Sequence, residues 1–473
     1  MRTSEVINGQ VSFWMRDTAG SARDPAGAAR PERPPLDGDT TVDVCVVGAG
    51  YTGLWTAYWL RQALPDASIL VVEARHVGYG ASGRNGGWLS GKMIGLPRHL
   101  AEGPRGRQGV VELRRAAVDS FDEILGIMAD HDIDVDAVHG GYLTIGRTPS
   151  ELARLRAAVD AERAWGMTEE DVRLLSAAET AGRISIDGVL GALYSPHNVR
   201  LHPGKLVTGL ASVVEAAGIR IAERTPALDL RPGRVRTPHG TVTARHILRA
   251  TEGYTARLPG RRRDMLPMNS SMVVTEPLSE ADWKAIGWAG CEALSGAQHT
   301  YFYAQRTADG RIALGGRGLP YRFGSRLDRD GRLDRWTIGQ LSGVLHGLWP
   351  DLRFRLAHAW CGSLGVPRDW SPSVVWDPAT GLGHAGGYVG QGVTAAYLAG
   401  RTLADLVAGK DTRYTGLPWA GRRSPRWEPE PLRWLGSYAM YGLYRIADLS
   451  EATTRHERTS AFARLADTVS GRH

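Results

Sequence analysis

The chain has 473 residues, 42% of them hydrophobic, enough for two or more sizeable cores. Its formal net charge of +7 comes from scattered residues, nearly all Arg, with no basic stripe interleaved with aromatics, so a nucleic-acid interface is excluded. Cys45, Cys291 and Cys361 form no Cys-x-x-Cys pair, and no segment nears the roughly twenty apolar residues of a membrane span, so a disulfide framework, a metal site and a membrane span are excluded.

Residues 1–40 are rich in Pro, Ala, Asp and Arg and read as an extension, pinned to the body through Phe13-Trp14. Arg2 is followed by no apolar h-region, so a cytoplasmic location is expected. Residues 42–53, Val-Asp-Val-Cys-Val-Val-Gly-Ala-Gly-Tyr-Thr-Gly, carry an apolar strand straight into a Gly-x-Gly-x-x-Gly turn. Gly48 permits the tight turn, Gly50 lets the backbone approach a pyrophosphate, and Gly53 allows close packing of helix on strand. The helix from Leu54 to Leu64 offers unpaired N–H groups and a positive dipole end to the phosphates. A second strand, Ile69 to Val72, ends on Glu73, placed to accept hydrogen bonds from ribose hydroxyls. Strand, turn, helix, strand and acid together predict an adenine-dinucleotide site.

Gly78 to Gly87 sets many glycines around one Ser, one Arg and one Asn, which suits backbone running along a flat, phosphorylated ligand. Residues 108–130 and 150–182 are expected to be helical, with a strand over 140–145 between them. A helix over 203–217 leads to short strands at 219–221, 235–237 and 240–244, and 246–251 returns to the parallel sheet. Strands are expected from Met268 to Pro277 and from His299 to Gly316, with a turn at Ala308-Asp309-Gly310. Residues 334–348 form a helix and Gly381 to Val393 a glycine-dense loop. The helix after it, Thr394 to Ala408, presents an N-terminus suited to a ring carbonyl that gains negative charge on reduction. In the tail, Trp434, Leu435, Tyr438, Tyr441 and Tyr444 form a stripe expected to pack on the protein's own core.

Taken together these segments resemble the D-amino-acid-oxidase-like family of FAD-dependent oxidoreductases over residues 41–410. The resemblance is carried by residues 44–53, Val72-Glu73-Ala74, residues 80–87, Leu201-His202-Pro203-Gly204-Lys205-Leu206 and residues 387–401. The form Gly-Ala-Ser-Gly-Arg-Asn-Gly-Gly is most similar to the γ-glutamylputrescine oxidoreductase branch. The implied fold class is α/β, with a Rossmann-like FAD-binding domain built on a parallel sheet. Beside it stands an α+β substrate domain with a mixed or antiparallel sheet. Residues 41–95, 196–260 and 373–410 would form the first, and 96–195 and 261–372 the second, with a helical extension over 411–473.

The resemblance also implies FAD, with Gly48, Ala49, Gly50, Tyr51, Thr52 and Gly53 at the pyrophosphate and Glu73, Ala74 and Arg75 at the ribose. Gly80, Ala81, Ser82, Arg84, Asn85, Gly86 and Gly87 would run along the pyrophosphate and flavin. Ala227 would meet the adenine, and Gly387, Gly390, Gln391, Gly392 and Val393 the pyrimidine end of the flavin. No cysteine falls inside a flavin-facing motif, so the FAD is expected to be noncovalent.

The implied chemistry is loss of a hydride from the α-carbon of an amine to flavin N5, with hydrolysis of the imine and transfer of electrons to O2 or another acceptor. His299, Tyr301 and Tyr303 alternate onto one face of the expected strand, a face that would cover the flavin. Lys92, shortly after Gly87, is a candidate to assist a charged substrate or oxygen. Arg317, after Gly315-Gly316, is a candidate to bind a carboxylate or phosphonate bidentately. No Arg stands at a family-diagnostic position for a substrate carboxylate, so a polyamine derivative or another primary or secondary amine is favoured. A flavin monooxygenase is disfavoured, because Ala385-Gly386-Gly387-Tyr388 lacks the Asp expected there. A dehydrogenase would use the same residues as an oxidase, and both stay open, with a non-catalytic flavoprotein behind them.

Overall fold

Val44 to Val47 are buried on both faces, as a strand inside a parallel sheet must be. The structure, a computed structural model, describes residues 6–20, 33–316, 318–327 and 330–471. Thr40–Val47 lies between Ile69–Val72 and Gly240–Arg249, parallel to both, with Val44 opposite Ile69 on one side and His246 on the other. Arg220–Ala222 and Leu382–Gly386 extend this parallel set at its two sides. Successive side chains alternate between two cores. Val44 and Val46 meet Leu54, Trp55 and Tyr397, while Cys45 and Val47 meet Val235, Val242 and Ile247. Helices Tyr51–Ala63 and Gly392–Val407 pack together on the first face, and each starts just past the carboxyl end of a parallel strand. That end of the sheet is where α/β proteins bind ligands.

Several local expectations change. Residues 240–251, expected as two strands, form one, Gly240–Arg249, because it holds to Thr40–Val47 along its length while its first part also pairs with Arg234–Thr237. The expected loop over 381–393 contains the strand Leu382–Gly386, whose neighbours on both sides supply a ladder that glycine's weak strand preference does not announce. The helix expected over 150–182 ends at Ala164, where Gly166 turns the chain at φ +92°. Arg173–Ser176 then pairs with Gly191–Ser195.

The second sheet has nine strands among the described residues. From its centre outward in one direction run Ile312–Gly316, Leu266–Thr275, Leu356–Val366 and Ile7–Asn8. In the other run Tyr303–Arg306, Ala293–Gly296, Tyr142–Gly146, Gly191–Ser195 and Arg173–Ser176. Its ladders are antiparallel except those of Ile7–Asn8 with Leu356–Val366 and of Ala293–Gly296 with Tyr142–Gly146, so the sheet is mixed. The strand expected from His299 begins only at Tyr303, and residues 299–300 form a turn.

Phe13-Trp14 does pin the N-terminal segment. Trp14 is 1% exposed, and its Nε1 donates to the Asn85 carbonyl at 3.0 Å. Trp14→Ala is expected to cost about 3–5 kcal/mol, as truncation of a buried aromatic does. A denaturant midpoint unchanged from the parent would contradict this. In the tail, helices Leu432–Thr454 and Ala461–Ser470 pack together. Tyr441 and Tyr444 join Trp370 and Trp427 in a core, but Leu435 is 51% exposed, so only part of the aromatic stripe faces inward. No helix among the described residues is long and apolar enough to cross a membrane.

Candidate active site

Where the helix starts at Tyr51 and Gly392 approach the second sheet, they enclose a cavity of about 420 Å³. The glycines dictate the close approach on one side. A Cβ on Gly53 would lie 1.8 Å from the Gly48 carbonyl oxygen, and one on Gly50 would lie 2.8 Å from Ser82 Oγ. Gly50 caps the helix without a side-chain hydrogen bond, which leaves the helix start open. Ser82 Oγ accepts from the Tyr51 N–H at 2.9 Å, tying the second glycine-rich segment to the first. Tyr51, Thr52, Ala81, Ser82 and Gly86 all line the cavity.

Glu73 sits at the end of its strand with Oε2 accepting from the Ala49 N–H at 2.8 Å and Oε1 from the Arg75 N–H at 3.0 Å. Burial pushes its carboxyl up, against the pull of those N–H groups. Ala74 and Arg75 are exposed beside it. Ala227 is half-buried against the core that holds Cys45, and the Thr225 N–H donates to the Glu73 carbonyl at 2.7 Å. The adenosine-side candidates are therefore gathered at one end of the parallel sheet.

Arg84 and Asn85 also line the cavity, and much of their hydrogen bonding shapes the loop itself. Arg84 Nε donates to the Tyr79 carbonyl at 2.7 Å and Nη1 to the Cys361 carbonyl at 3.1 Å. Asn85 Nδ2 donates to the Ser82 carbonyl at 2.7 Å and its Oδ1 accepts from the Gly87 N–H at 2.8 Å. Gly80 and Gly87 lie behind the lining. Gly87 faces Gln305, whose Nε2 donates to its carbonyl at 3.1 Å.

At the other helix start, Gly390, Gln391, Gly392 and Val393 line the cavity while Gly387 lies just behind. Gln391 caps the helix with no side-chain bond, and its Oε1 is buried without a partner. Glu252, which sequence reasoning missed, organises this corner. Its Oε1 accepts from the Gly387 N–H at 3.0 Å and the Tyr388 N–H at 3.3 Å, and its Oε2 from the Gly365 N–H at 2.8 Å. Burial raises the Glu252 carboxyl while those amides hold it down. Tyr388 OH lies 3.1 Å from Thr52 Oγ1 and links the two helix starts.

Of the residues singled out for chemistry, Tyr301, Tyr303 and Lys92 line the cavity. Tyr303 lies over Gly315, with its OH 2.7 Å from Ser270 Oγ and its ring edge-on to Trp88. Lys92 Nζ stands 4.3 Å from the centre of the Tyr142 ring and makes no ion pair among the described residues. Burial pulls its ammonium down to about 8, and Glu162, whose charge opposes that, is itself paired with Arg114. His299 is not at the cavity. The strand that was to carry it starts later, and its Nε2 instead lies 3.0 Å from Glu451 Oε1, with the ring stacked on Tyr444. Arg317 lies outside the described residues. Gln298, Thr144, Asn198 and Ser295 complete the polar wall. They come from three separate stretches of the sequence, around Thr144, Asn198 and Ser295 to Gln298, so no motif announces them. No cysteine or histidine lines the cavity among the described residues, and no cluster of His, Cys, Asp and Glu there could hold a metal ion.

The arrangement offers open helix starts for anions, an acid at the end of a parallel strand beside the first of them and a buried amide oxygen free to accept from a ring N–H. These groups fit a flavin dinucleotide. A family model described as DAO, FAD dependent oxidoreductase, matches residues 43–406. The γ-glutamylputrescine oxidoreductase of Escherichia coli (strain K12) is 28% identical over 403 residues, covering 83% of this chain and 91% of its own. The glycine oxidase of Geobacillus kaustophilus (strain HTA426) is 24% identical over 80% of this chain and 96% of its own. The crystal structure of glycine oxidase from Geobacillus kaustophilus superposes with a TM-score of 0.68 at 21% identity, over 82% of this chain and all of that one.

Proposed function

Since the chain belongs to the DAO family of FAD dependent oxidoreductases, and so is an FAD-dependent oxidoreductase of amines or amino acids, we propose that it oxidises an amine whose far end carries an anionic group. The carrying observation is Lys92, a half-buried lysine whose ammonium faces a cavity in which the one acid among the described lining residues, Glu252, is already saturated by backbone amides. A cation partly withdrawn from water with no ion pair among the described residues is costly, and an anionic ligand offsets that cost. The name of the relative in Escherichia coli supports the same class, because a γ-glutamyl amine joins an oxidisable amine to a carboxylate.

FAD, when bound, supplies the acceptor for the hydride on the carbon next to nitrogen. Gly48 to Gly53 and Ser82 would hold its pyrophosphate, Glu73 and the Ala227 segment its adenosine, and Gly390 to Val393 its ring. Lys92 would fix the substrate's anionic end. Tyr301 and the Tyr303–Ser270 hydroxyl pair would orient the amine, and Trp88 with Tyr303 would exclude water from the reacting carbon. The FAD is held noncovalently in this proposal, and O2 or another carrier takes the electrons.

Anaerobic titration of the visible spectrum with a panel of amines, led by γ-glutamylputrescine, tests this. Bleaching by an amine with a distal carboxylate is the expected outcome, and admission of air then tests oxygen as acceptor. Bleaching only by amines without an anionic group would overturn the substrate class. Acid precipitation should leave the flavin in the supernatant, and yellow protein in the pellet would overturn noncovalent binding.

A further inference from the structure

The turn at 297–300 is gripped from outside the family-matched segment. Asp448 on the helix Leu432–Thr454 accepts from the His299 N–H at 2.8 Å and the Thr300 N–H at 3.0 Å. One turn further along, Glu451 is 4% exposed and accepts from Ser150 Oγ at 3.0 Å, Arg154 Nη1 at 2.5 Å and the Ser460 N–H at 2.8 Å. Its other contact is His299 Nε2. Arg154 closes the loop by donating from Nε and Nη2 to the Ala297 carbonyl at 3.1 and 3.0 Å. Burial would push the Glu451 carboxyl up, but Ser460, His299 and Arg154 outweigh it and hold it at about 2, so the grip is ionic at any working pH.

The same turn feeds the cavity. Gln298 and Tyr301, on either side of the two gripped amides, both line it, and Gln298 Oε1 is buried with no partner. That oxygen rests against Gly296, where a Cβ would fall 1.9 Å from it. A buried acceptor left open is costly unless a ligand donor fills it.

We infer that the C-terminal hairpin is a latch that positions the substrate wall: Asp448 and Glu451 fix the turn so that Gln298 accepts a hydrogen bond from an N–H of the substrate. Gln298 is thus a specificity residue, and Asp448 and Glu451 are positioning residues. The inference rests on the cavity being the substrate site, as proposed above.

Two measurements on the flavin-loaded protein separate the parts. Hydrogen exchange of the amides over 296–303 should rise about tenfold in Asp448→Asn and in Glu451→Gln, because the turn loses its anchors. KM for the amine should rise about tenfold in both variants while kcat stays within about twofold, the pattern of lost substrate positioning. Gln298→Ala should reproduce the KM change with exchange unaltered. Asp448→Asn is the milder change and carries the test if Glu451→Gln does not fold. Unaltered exchange in Asp448→Asn overturns the latch whatever the substrate is. Raised exchange with an unchanged KM overturns its bearing on the substrate. Failure of every amine to reduce the parent flavin overturns the functional proposal alone, and the exchange result still decides the latch.

Discussion

Gly53→Ala is expected to give a protein with less than about a tenth of the parent's flavin per chain, because the new methyl group has nowhere to go. Its Cβ would stand 1.8 Å from the Gly48 carbonyl oxygen and 3.3 Å from Val46 Cγ1. Gly48 cannot yield, since its N–H is bonded to the Val72 carbonyl at 2.8 Å and the Ala250 carbonyl closes the space above it. The helix must lift off the strand instead. Overpacking a side chain into a core costs typically ~1–3 kcal/mol, and here the atom struck is backbone, which cannot rotate away. The helix start would leave the turn that it shares with the pyrophosphate, so cofactor affinity falls with stability. Gly218→Ala is the control, at an exposed glycine past the helix Pro203–Ala216 and outside the cavity lining. Its φ of +76° strains an alanine, but nothing lies within 4 Å of the added carbon, so only about 1 kcal/mol of backbone strain is expected, with flavin content unchanged. Flavin absorbance per chain and thermal unfolding of both variants check the contrast. Full flavin content in Gly53→Ala would show that the helix tolerates the shift.

The glycine-rich stretches were legible because their work is local. A turn that needs Gly48 and a helix that needs Gly53 write their requirements within a dozen residues, and the strands beside them are continuous apolar runs. His299 was misplaced for the opposite reason. Its neighbours alternate like a strand, but its partner Glu451 lies 152 residues away, and no local pattern records that the turn would be captured by a C-terminal helix. Glu252 is the same case in mirror image. An acid after a strand reads as surface charge until three amides from residues 365, 387 and 388 converge on it. The residues expected to hold the dinucleotide were readable as a motif, whereas the cavity's other wall is an accident of tertiary placement, with Lys92, Gln298 and Ser270 drawn from separate segments. The loop expected at 381–393 shows a further limit. Glycines hide a strand when the sheet, not the side chains, supplies its ladder.

Lys92→Met should lower kcat/KM for an amine with a distal carboxylate on the order of a hundredfold, with flavin content unchanged. Loss of one partner of a buried charge pair costs about 2–5 kcal/mol, most of it paid in binding. Methionine keeps the length and apolar body of the side chain, so the cavity is not emptied. An amine of similar length without the acid should change only severalfold. Burial lowers the Lys92 ammonium from 10.5 to about 8 in the free protein, so kcat/KM for the anionic substrate should fall as pH rises through about 8. Bound anion favours the charged form, so kcat should hold to higher pH than kcat/KM does. Stability runs the other way. The folded protein sheds this proton more readily than the unfolded chain, so between about 8 and 10.5 this group makes folding more favourable as pH rises. A fall in kcat/KM near pH 8 together with no loss of stability there therefore points to Lys92 and not to unfolding. If the break persists in Lys92→Met, another group reads the substrate's charge and the proposed role of Lys92 falls.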